Sequence, residues 1–66
     1  MNLPHNADEA KTWGEIASPE ELSKWLAEAV IGLDYGGKAA LWRTLLTRLV
    51  NGDTSIELAI KQWRPS

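Results

Sequence analysis

Apolar residues recur at helical spacing along most of this 66-residue chain. At positions 22–33 and 39–50 they return every three or four residues, which is the period of one face of an α-helix. A shorter stripe covers positions 56–63, and a thinner one, interrupted by Gly14, covers 10–17. Because no segment alternates apolar and polar residues as a half-buried strand does, the pattern predicts an all-α fold.

Helix-capping residues mark where the predicted helices begin and end. Asn6 is a typical N-cap, and the run Ser18-Pro19-Glu20-Glu21 is a capping box with proline at the first helical position. Thr54 and Glu57 have the spacing of a second capping box. Gly52 suits the left-handed position that follows the end of a helix, so it ends the third predicted helix.

Together these signals predict one domain, 1–66, folded as a compact bundle of four short helices with the third helix at its centre. Residues 1–5 precede the first helix and are expected to be mobile. The predicted helices span about 7–16, 19–33, 38–50 and 54–63. The predicted core residues are Leu22, Leu26, Val30, Leu33, Trp42, Leu45, Leu46, Leu49, Ile56 and Ile60.

Four tryptophans are the unusual feature of the composition. Each can bury roughly 150–250 Å² in a core, and tryptophan is also enriched at interface hot spots. Ile31 and Leu58 fall outside the apolar stripes of their helices. Like the tryptophans, they could belong either to the core or to an interface. The tryptophans are Trp13, Trp25, Trp42 and Trp63.

The composition excludes several kinds of site. The chain has no cysteine and one histidine, His5, so it has neither a disulfide framework nor a thiolate or histidine-rich metal site. No apolar run approaches the ~18 residues of a membrane span, and the N-terminus lacks the basic and apolar regions of a secretory signal. The sequence therefore predicts a cytoplasmic protein that uses no membrane, metal or cofactor.

The net charge of −2 is unevenly distributed. Residues 1–34 carry seven acidic and two basic side chains, whereas residues 35–66 carry two acidic and five basic ones. The opposite charges could hold the two halves together, or the basic half could face an acidic partner.

The stretch from Gly32 to Lys38 fits the phosphate-loop pattern G-x-x-x-x-G-K. Such a loop follows a β-strand, and it needs a serine or threonine after the lysine to hold magnesium. Here Ala39 takes that position, and a predicted helix precedes the motif. We therefore interpret residues 34–37 as a glycine-rich turn between two helices.

The basic C-terminal half raises the possibility of a helix-turn-helix around Gly52. However, Arg48 stands where that motif has a small residue, and Asn51 and Asp53 stand where it has apolar ones. Residues 52–59 are similar to the first helix of the quorum-sensing-regulator type of helix-turn-helix. In that family a recognition helix comes next, and this sequence stops at residue 66.

Catalysis has little support in the sequence. His5 lies in the proline-containing N-terminal segment, and Ser18 is explained as a helix cap. Glu20, Lys24 and Glu28 have the i, i+4 spacing of ordinary helix pairs. Because no arrangement separates two carboxylate pKa values, as acid–base chemistry requires, we expect neither enzyme activity nor a small-molecule substrate.

By elimination, the leading hypothesis is a non-catalytic protein-interaction module, such as an adaptor, an inhibitor or a regulatory subunit. It would bind another protein or a second copy of itself through apolar anchors with a basic rim. The alternative is a small nucleic-acid-binding or transcription-regulating domain that uses the basic half. The predicted partner-binding residues are Trp25, Ile31, Arg43, Arg48, Leu58, Lys61, Trp63 and Arg64.

Overall fold

The computed structural model describes residues 2–63. In this range the chain forms four α-helices and one short 3-10 turn, with no β-strand. The radius of gyration is 10.4 Å, close to the ~11 Å expected of a folded chain of this length. The prediction of a compact all-α bundle is therefore confirmed. The elements are α1 (Ala7–Ile16), α2 (Pro19–Ile31), α3 (Tyr35–Val50), the 3-10 turn (Thr54–Ile56) and α4 (Glu57–Gln62).

Each of the first three helices begins with a side chain that accepts a hydrogen bond from the backbone N–H three residues later. The Ser18 hydroxyl accepts from the Glu21 N–H at 3.1 Å, and the Glu21 carboxylate accepts from the Ser18 N–H at 3.0 Å. This predicted capping box satisfies backbone donors that otherwise lack partners at a helix start. The three N-caps are Asn6, Ser18 and Asp34.

The third helix begins three residues earlier than predicted, at Tyr35. The Asp34 carboxylate accepts from the Gly37 N–H at 2.7 Å, which places Gly36 and Gly37 inside the first helical turn. A Cβ added to Gly37 would lie 2.7 Å from the Leu33 Cδ2 atom, so a larger residue there would displace the Leu33 side chain. The cap and this packing outweigh the low helix propensity of the glycine pair.

The prediction of a second capping box is wrong. Residues 54–56 form the 3-10 turn, and neither that turn nor α4, which begins at Glu57, has a side-chain cap. The Ser55 hydroxyl instead donates to the Asp53 carboxylate within the turn. Helix α4 begins only at Glu57 and has six residues. Separately, α2 ends two residues earlier than predicted, at Ile31.

Gly52 ends α3 with a positive φ of 102°. Its N–H donates to the Leu49 carbonyl at 3.1 Å, and the Asp53 N–H donates to the Arg48 carbonyl at 3.0 Å. These two bonds form a Schellman motif, which satisfies the last carbonyls of the helix. The predicted left-handed role of Gly52 is confirmed.

Helix α3 is central, because it packs most extensively on α1 and also contacts the 3-10 turn and α4. Gly14 permits the close approach of α1. A Cβ added there would lie 3.0 Å from both Leu41 Cδ1 and Thr44 Cγ2. Ala10, in α1, and Ala17, directly after it, are also buried and lie on one side of the helix. The interruption of the apolar stripe at Gly14 is therefore what allows the two helices to meet.

The predicted core divides into a buried and a half-buried group. The buried members are Leu22, Leu26, Leu33, Leu45 and Ile56. The half-buried members are Val30, Trp42, Leu46, Leu49 and Ile60. The other buried hydrophobic residues are Ala10, Trp13, Ala17, Ala29, Leu41, Ala59 and Trp63. The core predicted from the apolar stripes consisted of large side chains. The buried residues among 2–63 also include several alanines.

The N-terminal segment makes three contacts with the rest of the fold. Pro4 is buried, Leu3 packs against the core, and the His5 N–H donates to the Glu9 carboxylate at 2.9 Å. The mobility expected of residues 1–5, the first of which lies outside the described range, stays a prediction. The contacts of residues 3–5 would restrict such mobility.

Substitution of the two helix-ending glycines separates backbone strain from packing. We expect Gly52→Ala to lower the free energy of unfolding by about 1–2 kcal/mol, because its φ is positive and open space surrounds it. Gly32 has a φ of −82°, so Gly32→Ala should be neutral or stabilise by about 0.4–1 kcal/mol. Urea denaturation followed by circular dichroism measures both changes. Equal effects of the two substitutions would contradict this assignment.

Candidate protein-binding groove

An apolar groove opens between α2, the first half of α3 and the end of α4. Its volume of about 560 Å³ lies within the ~300–1,000 Å³ range of ligand-binding pockets. Lys38 is the charged residue among those lining it, so the groove offers mainly apolar contact. From α2 it is lined by Leu22, Ser23, Leu26, Ala27, Val30 and Ile31. Opposite them lie Tyr35, Lys38, Ala39, Trp42, Gln62 and Trp63.

The deepest part of the apolar groove belongs to the core of the bundle. Leu22, Leu26 and Trp63 are buried there. The ring of Trp63 meets the half-buried ring of Trp42 edge to face, with centroids 4.9 Å apart and planes at 87°. This is a favourable arrangement of two aromatic rings. The enclosed Trp63 Nε1–H has no hydrogen-bond partner among residues 2–63, which is a local cost of burying this side chain.

The outer part of the apolar groove exposes two large side chains. Ile31, in the last turn of α2, is 82% exposed, and Tyr35, the first residue of α3, is 89% exposed. Both line the groove, and three residues separate them in the chain. Large side chains that stay exposed beside an apolar depression are typical of a binding surface.

The predicted apolar anchors lie in different environments. Ile31 and Trp63 both line the apolar groove, one at its exposed edge and the other at its buried base. Trp25 is half-buried against the core, with the Lys24 amine 5.2 Å from its ring centroid. Leu58 is exposed on α4 and lies outside the groove lining. The groove therefore brings together two of the four predicted anchors, and Tyr35 is a further exposed side chain along it that was not predicted.

The predicted basic rim is dispersed. Arg43 is exposed along a shallow depression between α1 and α3, away from the apolar groove. The Lys61 amine lies 3.3 Å from the Glu57 carboxylate, in an exposed pair of the kind worth little in stability. Arg64 lies outside the described residues. Lys38, which was not predicted, is the cation that lines the groove.

Arg48, predicted as a rim residue, makes hydrogen bonds within the fold. Its Nη1 atom donates to the carbonyls of Gly14 at 2.8 Å and Ala17 at 2.7 Å. Its Nε and Nη2 atoms donate to the Asp53 Oδ2 atom at 3.1 and 2.7 Å. The guanidinium therefore joins the end of α1 to the turn after α3. Its part in partner binding stays a prediction.

Hydrogen bonds stabilise the ionised form of Asp53. The Ser55 hydroxyl and then the Arg48 guanidinium donate to its carboxylate, and they hold the pKa of Asp53 below its ordinary value of 3.8. A carboxyl group with a lowered pKa in the folded state stabilises the fold above its unfolded pKa. That contribution is lost as the pH falls through the folded pKa.

The phosphate-loop-like stretch has a local structural explanation. Asp34 caps α3 through the Gly37 N–H, and Gly37 packs against Leu33. Helix α2 precedes this stretch, as predicted. Gly36 and Gly37 lie in the first turn of α3 and Gly32 ends α2, so the interpretation of residues 34–37 as a turn between the helices is wrong for residues 35–37.

The described residues form neither a metal-binding cluster nor a membrane-spanning helix. Within residues 2–63, no three His, Cys, Asp or Glu side chains are grouped so that they could hold a metal ion. None of the helices described is long and apolar enough to cross a membrane. No family model, curated protein or solved structure matches this chain.

The lowered pKa of Asp53 predicts a pH dependence of stability. In the wild type, the contribution of Asp53 should disappear between about pH 5 and pH 2. The Asp53→Asn variant should therefore be less stable near neutral pH and lose less of its melting temperature on acidification. Thermal circular dichroism of both proteins across this pH range measures the difference. Identical acid profiles would show that Asp53 does not stabilise the fold electrostatically.

Two of the predicted anchors should behave differently when truncated. Trp63→Ala removes a buried ring, so we expect a loss of about 3–5 kcal/mol, comparable to the whole stability of so small a core. Leu58→Ala removes an exposed side chain and should change stability by less than about 0.5 kcal/mol. Chemical denaturation measures both. A fold that tolerates Trp63→Ala as well as Leu58→Ala would refute the placement of Trp63 in the core.

Proposed function

We propose that this chain is a non-catalytic protein-binding module whose apolar groove receives an apolar segment of another protein. The observation that carries the proposal is the exposure of Ile31 and Tyr35 beside a depression with a buried aromatic base. Covering these two side chains removes apolar surface from water without unfolding any part of the bundle. Buried apolar anchors of this kind supply most of the affinity in protein interfaces.

The chemistry of the groove supports binding rather than catalysis. General acid–base catalysis needs a positioned side chain with a pKa matched to its task. The polar groups lining the apolar groove are one amine, one amide, one hydroxyl and one phenol, in addition to the indole N–H groups, and they stand among aliphatic side chains. This composition suits the recognition of apolar surface.

The basic half gives less support to the alternative of nucleic-acid binding. Arg48 is bound to Asp53, and Lys61 is paired with Glu57. These pairs reduce the positive charge available to phosphates, on which non-specific nucleic-acid affinity depends. Duplex-DNA binding whose logarithmic affinity falls steeply with the logarithm of the salt concentration would favour this alternative over the proposal.

Affinity capture with matched surface variants tests the proposal. We expect a partner protein to be retained by the wild-type chain and by Val50→Ser, and to be lost from the double variant Ile31→Ser/Tyr35→Ser. All three positions are more than 80% exposed, so the substitutions should leave the fold intact. Truncating true anchors weakens binding by about tenfold or more. Mass spectrometry identifies the retained proteins, and circular dichroism confirms folding.

Two outcomes would refute the groove as the binding site. One is the retention of the same proteins by the wild type and the double variant. The other is loss of binding with Val50→Ser alone. Light scattering during size-exclusion chromatography, performed on the same variants, shows whether the partner is a second copy of the chain. A dimer abolished by the double variant would identify the homodimer as the form in which this module works.

A further inference from the structure

We infer that the occupant of the apolar groove is an amphipathic helix of a partner protein, with carboxylates beside its apolar face. This inference rests on the proposed function and specifies the partner. Two independent features carry it. The shape of the groove walls favours a helix, and Lys38, the cation among the described residues that line the groove, favours an acidic partner.

The α2 wall of the apolar groove has the surface of a helix-packing site. Its lining residues form two i, i+4 rows, one beginning at Leu22 and the other at Ser23. From residue 22 to residue 31 the wall is about 14 Å long, which matches two to three turns of a partner helix. Ser23 and Ala27 on this wall and Ala39 on the opposite wall are small. Small side chains let a helix axis approach to the ~8–10 Å typical of packed helices.

The described fold offers no sheet edge to an extended peptide. A partner that binds by β-strand addition needs exposed backbone donors and acceptors of a strand. Residues 2–63 contain no strand, and α2 and α3 satisfy their own backbone groups along the groove. Binding through helix ridges is therefore the mode that these walls fit.

Lys38 indicates the charge of the partner. It lies near the N-terminus of α3, where the positive end of the helix dipole disfavours a cation and the first turn contains no acidic residue. The neighbouring Asp34 carboxylate is bound to the Gly37 N–H, and Lys38 has no ion-pair partner among the described residues. Arg48 and Lys61, by contrast, each have a carboxylate partner.

A carboxylate on the docked helix would form an ion pair with Lys38, which has none among the described residues of the free chain. Lys38 lines the groove, as the exposed Tyr35 does, so we expect a side chain at the edge of an apolar helix face to come within reach of its amine. Charge complementarity of this kind selects between partners that present similar apolar faces.

A displayed peptide library tests the inference directly, because it offers the groove many candidate helices at once. The probe is a library of roughly 18-residue peptides on an alanine-rich helical scaffold, randomised along one face and its two flanks. Selection on the full wild-type chain should enrich sequences with apolar residues at helical spacing and with Glu or Asp at the flanks. Selection on the Lys38→Glu variant should enrich Lys or Arg at the same flanks.

A charge-matched control separates the local effect of Lys38 from net charge. Lys11→Glu makes the same charge change on α1, away from the apolar groove. The enriched peptide, synthesised and measured by fluorescence anisotropy, should bind Lys38→Glu about fivefold more weakly than the wild type and bind Lys11→Glu unchanged. The double variant Ile31→Ser/Tyr35→Ser should lose binding.

Several results would overturn the inference. They are the enrichment of no helical sequence, equal weakening by both charge reversals, or flanks without acidic preference. If captured partners still depend on Ile31 and Tyr35 in that case, the proposed function stands and only the acidic helix is wrong. If a second copy of the chain occupies the groove in solution, the partner-helix inference is wrong while the groove remains the interface.

Discussion

One guanidinium group joins the ends of α1 and α3. Arg48 and Asp53 are linked twice, by a backbone hydrogen bond of the Schellman motif and by an ion pair of 2.7 Å. An apolar contact often accompanies this motif, and here the ion pair takes its place. The Nη1 group of the same arginine satisfies the carbonyls of Gly14 and Ala17. Because α2 begins two residues after Ala17, this side chain also helps to position one wall of the apolar groove.

The apolar groove is a surface that the described helices leave uncovered. Small domains bury a smaller fraction of their surface than large ones, so some apolar side chains stay in contact with water. Helix α4 has six residues and meets α2 near Trp63, which leaves the surface from Ala27 to Ile31 uncovered. The close approach of α1 to α3 at Gly14 uses small residues, so larger side chains remain for the other faces of the bundle.

Sequence patterns predicted the helices far better than they predicted the site. Helical spacing and local caps are properties of neighbouring residues, so the start at Ser18 and the left-handed Gly52 were correctly identified. The early start of α3 was missed because the Gly36–Gly37 pair was interpreted as a break, although Asp34 is a typical N-cap residue. The internal role of Arg48 depends on residues more than 30 positions away. The position of Ile31 off its apolar stripe is visible in the sequence, whereas the exposure of Tyr35 depends on where α3 begins.

The glycine pair at the start of α3 lowers the helix propensity of one wall of the groove. Each glycine costs a helix about 1 kcal/mol relative to alanine, so Gly36 and Gly37 make this turn the cheapest part of α3 to unwind. Its amide protons should therefore exchange with solvent sooner than those around buried Leu45. Fraying there would move Tyr35 and Lys38 while the Arg48 junction stays closed. Such fraying would change the width of the groove at this end and leave the Arg48 contacts with α1 in place.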